Sequence, residues 1–407
     1  MYNLHLSSEQ LEFRDTVRDF VAHKVKPIAL KPERLEPFKR PLLTEILDKA
    51  SQMGLRTMAL SEENGGAGAD ILTSCIVTEE LAVGDADIAA VLAETSTLSH
   101  ILFDRLLTSA QRDRFLPQFL ADDRYHLAFA DHEPGTDTRL GVNYHRGSTA
   151  ERRVATKAVQ AENGDWIVNG TKDLVLNAPI AKLFAVEVTT DLDRRETDIL
   201  LVPYDSPGLT VREQDRVELR CHGVGGKLIL VDCRVPAENL LRAEGGHPAT
   251  RFGEAVDRGN PLEQALNLGI GRAAYEAALE YAQLRVQGGR RIVEHQAIGT
   301  KLAEIAISLE VARSAVWQAS YASDHPDAVA DRSLPNLPLQ SMVKVFTSGV
   351  VYRAAKDAAE LFGAMGVMRD MPLQKYIHDA LICLHSGNGN SDAKLQIAEA
   401  LAGFKRR

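Results

Sequence analysis

In GDWIVNGTKDLVLNAPIAKLFAVEV, residues 164–188, short runs of β-branched and aromatic residues are punctuated by Gly, Asn, Asp and Pro. Such runs suit a pleated, half-buried surface, and the punctuation supplies turns. Gly164 and Asp165 ahead of Trp166 predict a hairpin. Downstream, DILLVPY (198–204), GLTV (208–211) and KLILVDCRV (227–235) repeat the pattern, so a β domain is expected from about Tyr125 to Leu241. On both sides of it the period changes. From Ser7 to about Asp122 apolar residues recur every three or four positions, as at Leu11, Val17, Phe20 and Val21, which is the spacing of one helix face. Ser7 or Ser8 before an acidic turn is a reasonable helix start; Ser8 followed by Leu11 three residues later gives no full capping box.

After Pro261 the helical period returns through GRAAYEAALEYAQLRV (271–286), IGTKLAEIAISLEVARSAVWQAS (298–320) and SGVVYRAAKDAAELFGAMG (348–366). The Pro-containing HPDAVADRSLPNLPLQ (325–340) reads as a loop between two of these helices. The expected fold class is α+β: an N-terminal helical bundle over 1–124, a β-barrel or sandwich over 125–241 and a C-terminal four-helix bundle over 242–407.

The chain has 407 residues and a formal charge of −9, which gives no electrostatic reason to seek nucleic acid. Its start lacks a basic region followed by an apolar one, so no secretory signal is read there. No run reaches the ~18 apolar residues of a membrane span. Four widely separated cysteines, Cys75, Cys221, Cys233 and Cys383, fit neither a zinc site nor a disulfide scaffold and read as small buried hydrophobes. A cytoplasmic protein is expected. Gly269, Gly271 and Ala274 spell GxGxxA, but helical spacing runs straight through Leu262, Leu266 and Ile270. A dinucleotide fingerprint needs a strand before its glycines, so small residues at a helix crossing are expected instead.

Several anchors, in order, resemble the acyl-CoA dehydrogenase family over some 370 residues. They are EENGGAGAD (62–70) with TEELA (78–82), HEPGTD (132–137), NGTK (169–172) and DCRVPAENLL (232–241). Arg285 with GGRRIVEHQAIGTKLAEI (288–305), LFGAMGV (361–367) and HDA (378–380) complete the set. The resemblance implies FAD lying between the β domain and the back bundle, and an acyl-CoA or carrier-bound thioester as substrate. It further implies an electron-transfer flavoprotein as acceptor and a homotetramer or homodimer. Arg285 matches the arginine that meets the FAD pyrophosphate, and a planar, always-charged guanidinium suits paired phosphate oxygens. Gln296 and Gly363 match positions near the cofactor.

Departures from the family cluster at the chemistry. α,β-Dehydrogenation needs a carboxylate to remove the α-proton while a hydride leaves for the flavin. Counting from Asp379 places Gly387, followed by Asn388, where that glutamate usually stands. Matching through Asp257 and Pro261 places Gly259 at the alternative site of the base. His132 replaces the threonine before EPG, Leu174 replaces a flavin-contacting tryptophan, and the HEPGTD turn is two residues short. Two acids are candidates for the missing base. Glu263 lies one ~5.4 Å helical turn beyond Gly259, although Asn260, Pro261 and Glu263 also read as a helix start. Glu94, in the segment that lines the acyl end of the pocket in relatives, would have its pKa raised by burial, and substrate recognition or structure are its other readings. His385 and His132 could move protons near neutrality or could simply be solvated. The rival expectations are desulfination or oxygenation on the same fold, and a non-catalytic partner of a paralogue in a mixed oligomer.

Overall fold

The computed structural model describes residues 5–36, 38–134, 154–191, 196–216, 219, 221–241, 252, 260–329, 334–386 and 389–403. Seven strands form one mixed sheet: β1 (His126–Ala130), β2 (Lys157–Gln160), β3 (Trp166–Leu176), β4 (Ala181–Asp191), β5 (Glu196–Pro203), β6 (Leu209–Glu213) and β7 (Gly225–Val235). Their order is β1-β4-β2-β3-β7-β6, with β5 on the free side of β4. The predicted runs are β3 to β7. The hairpin joins β2 to β3, closed by the Ala161 N–H donating to the Asp165 carbonyl at 2.7 Å, with Gly164 at φ +89° where a side chain would be strained. β1, parallel to β4, was not singled out among the sequence runs.

Period-two alternation explains why β4 is apolar on both sides. Leu183 and Ala185, with Ile199 and Leu201 of β5, pack beneath Phe103 and Phe119 of the front helices. Phe184, Val186 and Val188, with Leu200 and Val202, face Val168, Leu228 and Leu230 across the sheet.

The front helices are α1 (Ser8–Phe20), α2 (Thr44–Gln52), α3 (Ile71–Gly84), α4 (Ala86–Ser99) and α5 (Ser109–Ala121). Ser7 does start α1, and with Gln10 it makes a full capping box, one residue earlier than the Ser8 and Leu11 spacing considered above. The back helices are α6 (Asn260–Leu284), α7 (Gln296–Asp324), α8 (Leu339–Leu361), α9 (Leu373–His385) and α10 (Gly389–Leu401), with a short hairpin, β8 (Val286–Gln287) and β9 (Arg290–Arg291), between α6 and α7. The loop predicted at 325–340 separates α7 from α8. Among the described residues no helix is long and apolar enough to cross a membrane.

Front and back helices share one apolar core. α3 crosses α6 at the GxGxxA segment: a Cβ on Gly269 would lie 2.5 Å from the Glu79 carbonyl oxygen and 2.6 Å from the Ala82 Cβ, and one on Gly271 would lie 2.8 Å from Leu309. Ala274 is fully buried there. Close packing, not nucleotide binding, requires the small residues. Beside the crossing Arg272 reaches both Glu79 and Glu80, Arg313 reaches Glu79, and Arg18 reaches Glu80. Charges that are desolvated at the helix contact are thereby matched.

Candidate active site

A buried polar joint fixes the three helical and β parts to one another. Asn177, in a left-handed turn at φ +63°, donates its amide to the Val91 and Leu127 carbonyls, each at 3.2 Å, and to Thr95 Oγ1 at 3.1 Å. This ties α4 to the sheet. Asp87 at the start of α4 accepts from Arg216 at 2.7 Å and from the Gly223 N–H at 3.0 Å. Arg40 lies 3.9 Å from Asp87 and grips Asp379 of α9 with two bonds of 3.0 and 2.6 Å, while Lys375 donates to the same carboxylate at 2.8 Å. Burial alone would raise Asp379, but the Arg40 and Lys375 charges prevail and hold it well below its ordinary range. The HDA anchor is therefore an ionic keystone between front and back bundles.

Next to this joint lies a group of chemically active side chains. Glu94 projects from α4 and is half-buried. Burial first, and the Asp131 charge second, push its carboxyl up to about 7. Cys221, in the loop before β7, is half-buried, and its thiol is pushed up to about 12 by burial and by the charges of Asp87, Glu94 and Glu263, so both candidate acids lie within electrostatic reach of one sulfur. Glu263, on the first turn of α6, accepts a hydrogen bond from Ser386 Oγ, the residue just before Gly387. Lys344 of α8 donates to the Ser386 carbonyl at 2.9 Å and stands 3.6 Å from Glu263. Among the described residues the Glu263 carboxylate thus contacts Ser386, Lys344 and Gln264, and none of these contacts is with a backbone N–H of its own helix start.

The anticipated cofactor residues fall into two groups. Arg285 closes α6 at the protein surface. Its N–H and carbonyl are held by Tyr281 and Ile292, and its guanidinium makes no ion pair among the described residues. Gln296 opens the 29-residue α7, whose N-terminus has no side-chain cap. Gly363 is exposed at φ +57°, with nothing within 4 Å of where a Cβ would be. A guanidinium without an ion pair among the described residues, on a residue whose carbonyl holds the Ile292 turn leading into the uncapped start of α7, offers groups that suit a diphosphate.

On the sheet side, His132 is half-buried at the end of β1, and its carbonyl accepts from the Asp173 N–H at 2.9 Å. Leu174 is half-buried at φ +52°, where the β3–β7 register shifts, a conformation that costs a non-glycine residue ~1 kcal/mol or more. Two anchor motifs meet here, because Lys172 of NGTK pairs with Glu133 of HEPGTD at 2.8 Å in the interior. His385 is an exposed residue ending α9, and Cys75, Cys233 and Cys383 are buried thiols. Asn388, Gly387 and Gly259 lie outside the described residues. Lys344, Cys221 and Arg40 were not foreseen as parts of the site.

Three family models match in order: the N-terminal domain of acyl-CoA dehydrogenases at residues 7–123, the middle domain at 145–225 and the C-terminal domain at 254–401. An acyl-CoA dehydrogenase of Bacillus subtilis is 30% identical over 405 residues, covering 98% of this chain and 100% of that one. The chain belongs to the acyl-CoA dehydrogenase family. The mitochondrial short-chain specific acyl-CoA dehydrogenase of the rat is also 30% identical, over 91% of this chain and 84% of that one. A glutaryl-CoA dehydrogenase from Mycobacterium smegmatis in complex with FADH2 superposes with a TM-score of 0.80 at 23% identity, covering 99% and 96% of the two chains. This acyl-CoA dehydrogenase family member is accordingly a FAD-dependent oxidoreductase acting on acyl thioesters.

Proposed function

We propose that the protein oxidises the α,β bond of an acyl thioester on bound FAD, with Glu263 as the carboxylate that takes the α-proton. One observation carries the assignment: Glu263 reaches across from α6 to Ser386, the residue that precedes Gly387 in the sequence. Reach comes before pKa in choosing a base. Lys344 braces both partners. Glu94 makes no hydrogen bond or ion pair among the described residues and has no contact with Ser386, so it is not given this role.

The residues that would hold the cofactor are Arg285 and the uncapped start of α7 at Gln296 for the diphosphate. Gly363 leaves backbone room, and His132, Leu174 and Asn388 are assigned to the ring end of the cofactor. When bound, FAD supplies the acceptor for the hydride that leaves the β-carbon. The parts carrying these groups are the proposed N-terminal (1–124), middle (125–241) and C-terminal (242–407) domains. The assembly proposed is a homotetramer or homodimer in the cytoplasm, passing electrons to an electron-transfer flavoprotein.

The test is anaerobic mixing of the purified yellow protein with straight-chain acyl-CoAs and acyl carrier thioesters. Bleaching of the visible flavin band with formation of the α,β-unsaturated thioester is expected. In separate assays, oxygen uptake in aerobic buffer without formation of the unsaturated thioester would instead mean oxygenation, and sulfite release from a sulfinate-bearing thioester would mean desulfination. A colourless protein would mean a non-catalytic partner.

A further inference from the structure

Most buried acids among the described residues are matched by cations: Glu79 meets Arg272 and Arg313, Glu80 meets Arg18 and Arg272, Asp87 meets Arg216, Glu133 meets Lys172, and Asp379 meets Arg40 and Lys375. Asp85 instead caps α4, accepting from the Asp87 and Ile88 N–H groups. Half-buried Glu94 has neither kind of partner among the described residues. It sits in a helix whose neighbours Val91, Leu92, Thr95 and Leu98 are buried, yet no donor or cation among the described residues meets its carboxylate.

The charge of Asp131, beyond the end of β1, opposes a negative charge on it, and the neutral Cys221 thiol lies within electrostatic reach. A half-buried carboxylate beside apolar residues and another acid, with no partner among the described residues, is a costly arrangement. It is held rigidly, because Asn177 bonds the residues at Val91 and Thr95 that flank it along α4. Among the described residues nothing in the packing of α4 calls for an acid at this point, and the carboxylate is available to a ligand.

We propose that Glu94 is a substrate-recognition carboxylate and that the protein's preferred thioester carries a protonated amine in its acyl group. The inference rests on the acyl-thioester reading above but not on which residue is the base. An ammonium reaching Glu94 would gain a charge-assisted hydrogen bond in a half-buried site, and the Asp131 charge that disfavours ionised Glu94 would favour the cation. An apolar acyl chain would leave the carboxylate unpaired. The expected discrimination is therefore roughly 10- to 100-fold in favour of the amine over a methyl of the same size.

The test is calorimetric binding to the holoenzyme at about pH 8, where the carboxylate of Glu94 is ionised. Two matched pairs differ only in ammonium against methyl: β-alanyl-CoA with butyryl-CoA, and 6-aminohexanoyl-CoA with heptanoyl-CoA. In at least one pair the wild type is expected to bind the amine about 10-fold or more tightly, and Glu94→Gln is expected to abolish that preference while leaving the affinity for the neutral member unchanged or improved. Equal or weaker binding of the amine in both pairs would overturn the proposal, and so would a preference that survives in Glu94→Gln. Because binding is read without turnover, failure of the Glu263 assignment would show as lost or unchanged flavin reduction in Glu263→Gln and would leave this comparison standing.

Discussion

Replacing Glu94 by Gln should stabilise the protein increasingly as the pH rises from about 4.5 to about 7. In the native state the carboxyl is moved from 4.5 to about 7, which at ~1.4 kcal/mol per pH unit corresponds to roughly 3 kcal/mol. The side chain is partly open to solvent, so this is the upper end of the effect. Since the native value lies above the unfolded one, the folded state holds the proton more tightly across the interval. Wild-type stability is therefore fully present below about 4.5 and falls as the pH rises through about 7. Neutral Gln has the same shape and no such loss. Urea unfolding of the holoprotein, followed by far-ultraviolet circular dichroism at about pH 5 and about pH 8, should give near-equal midpoints for wild type and variant at the lower pH. At the higher pH the variant should be the more stable by up to ~3 kcal/mol. A difference that is the same at both values would refute the idea that an unpaired, desolvated carboxylate is stored in this site.

Other substitutions probe the frame and the cofactor end. Arg40→Met leaves the buried Asp379 with Lys375 as its one cation among the described residues and should cost ~3 kcal/mol, with hydrogen exchange accelerating together in α4, the loop before β7 and α9; acceleration confined to the segment around residue 40 would contradict the joint described above. Gly269→Val drives side-chain atoms into the Glu79 carbonyl and should lower stability by ~1–3 kcal/mol without changing the flavin spectrum of the surviving fold, as thermal unfolding would register. Arg285→Ala should weaken FAD binding by roughly 10- to 100-fold, the worth of a charge-assisted bond to phosphate, measured by reconstitution of the apoprotein; undiminished affinity would remove Arg285 from the diphosphate site.

Much of the architecture is written in local periodicity. The apolar alternation of 183–188 and 198–202 maps directly onto the two faces of β4 and β5, and the small residues at 269, 271 and 274 could be separated from a nucleotide fingerprint because the helical spacing around them left no strand. Pairings between distant segments are not recorded in spacing. The partnership of β1 with β4 joins residues 55 positions apart at His126 and Ala181, and Arg40 reaches Asp379 across 339 positions. Arg40 therefore looked like any surface arginine near the start of the chain.

The same holds at the site. Counting could show that Gly259 and Gly387 lack acids, and it could nominate Glu263 and Glu94. It could not show that Ser386 and Lys344 close on Glu263 while Glu94 has no partner among the described residues. Only the packing of α6 against α8 and α9 brings the first three together, and Lys344 stands among the small polar residues Ser341, Thr347 and Ser348 on a buried face of α8.

The claim at the centre of this account is that a carboxylate from α6 replaces the one missing at Gly387. It is tested most directly by stopped-flow flavin reduction with a thioester that bleaches the wild type, compared in Glu263→Gln and in the double variant Glu263→Gln with Gly387→Glu. Loss of a general base predicts a fall of roughly 10²- to 10⁴-fold in the reduction rate of the single variant, with thioester binding retained, and partial recovery in the double variant. Reduction at the wild-type rate in Glu263→Gln would contradict the account.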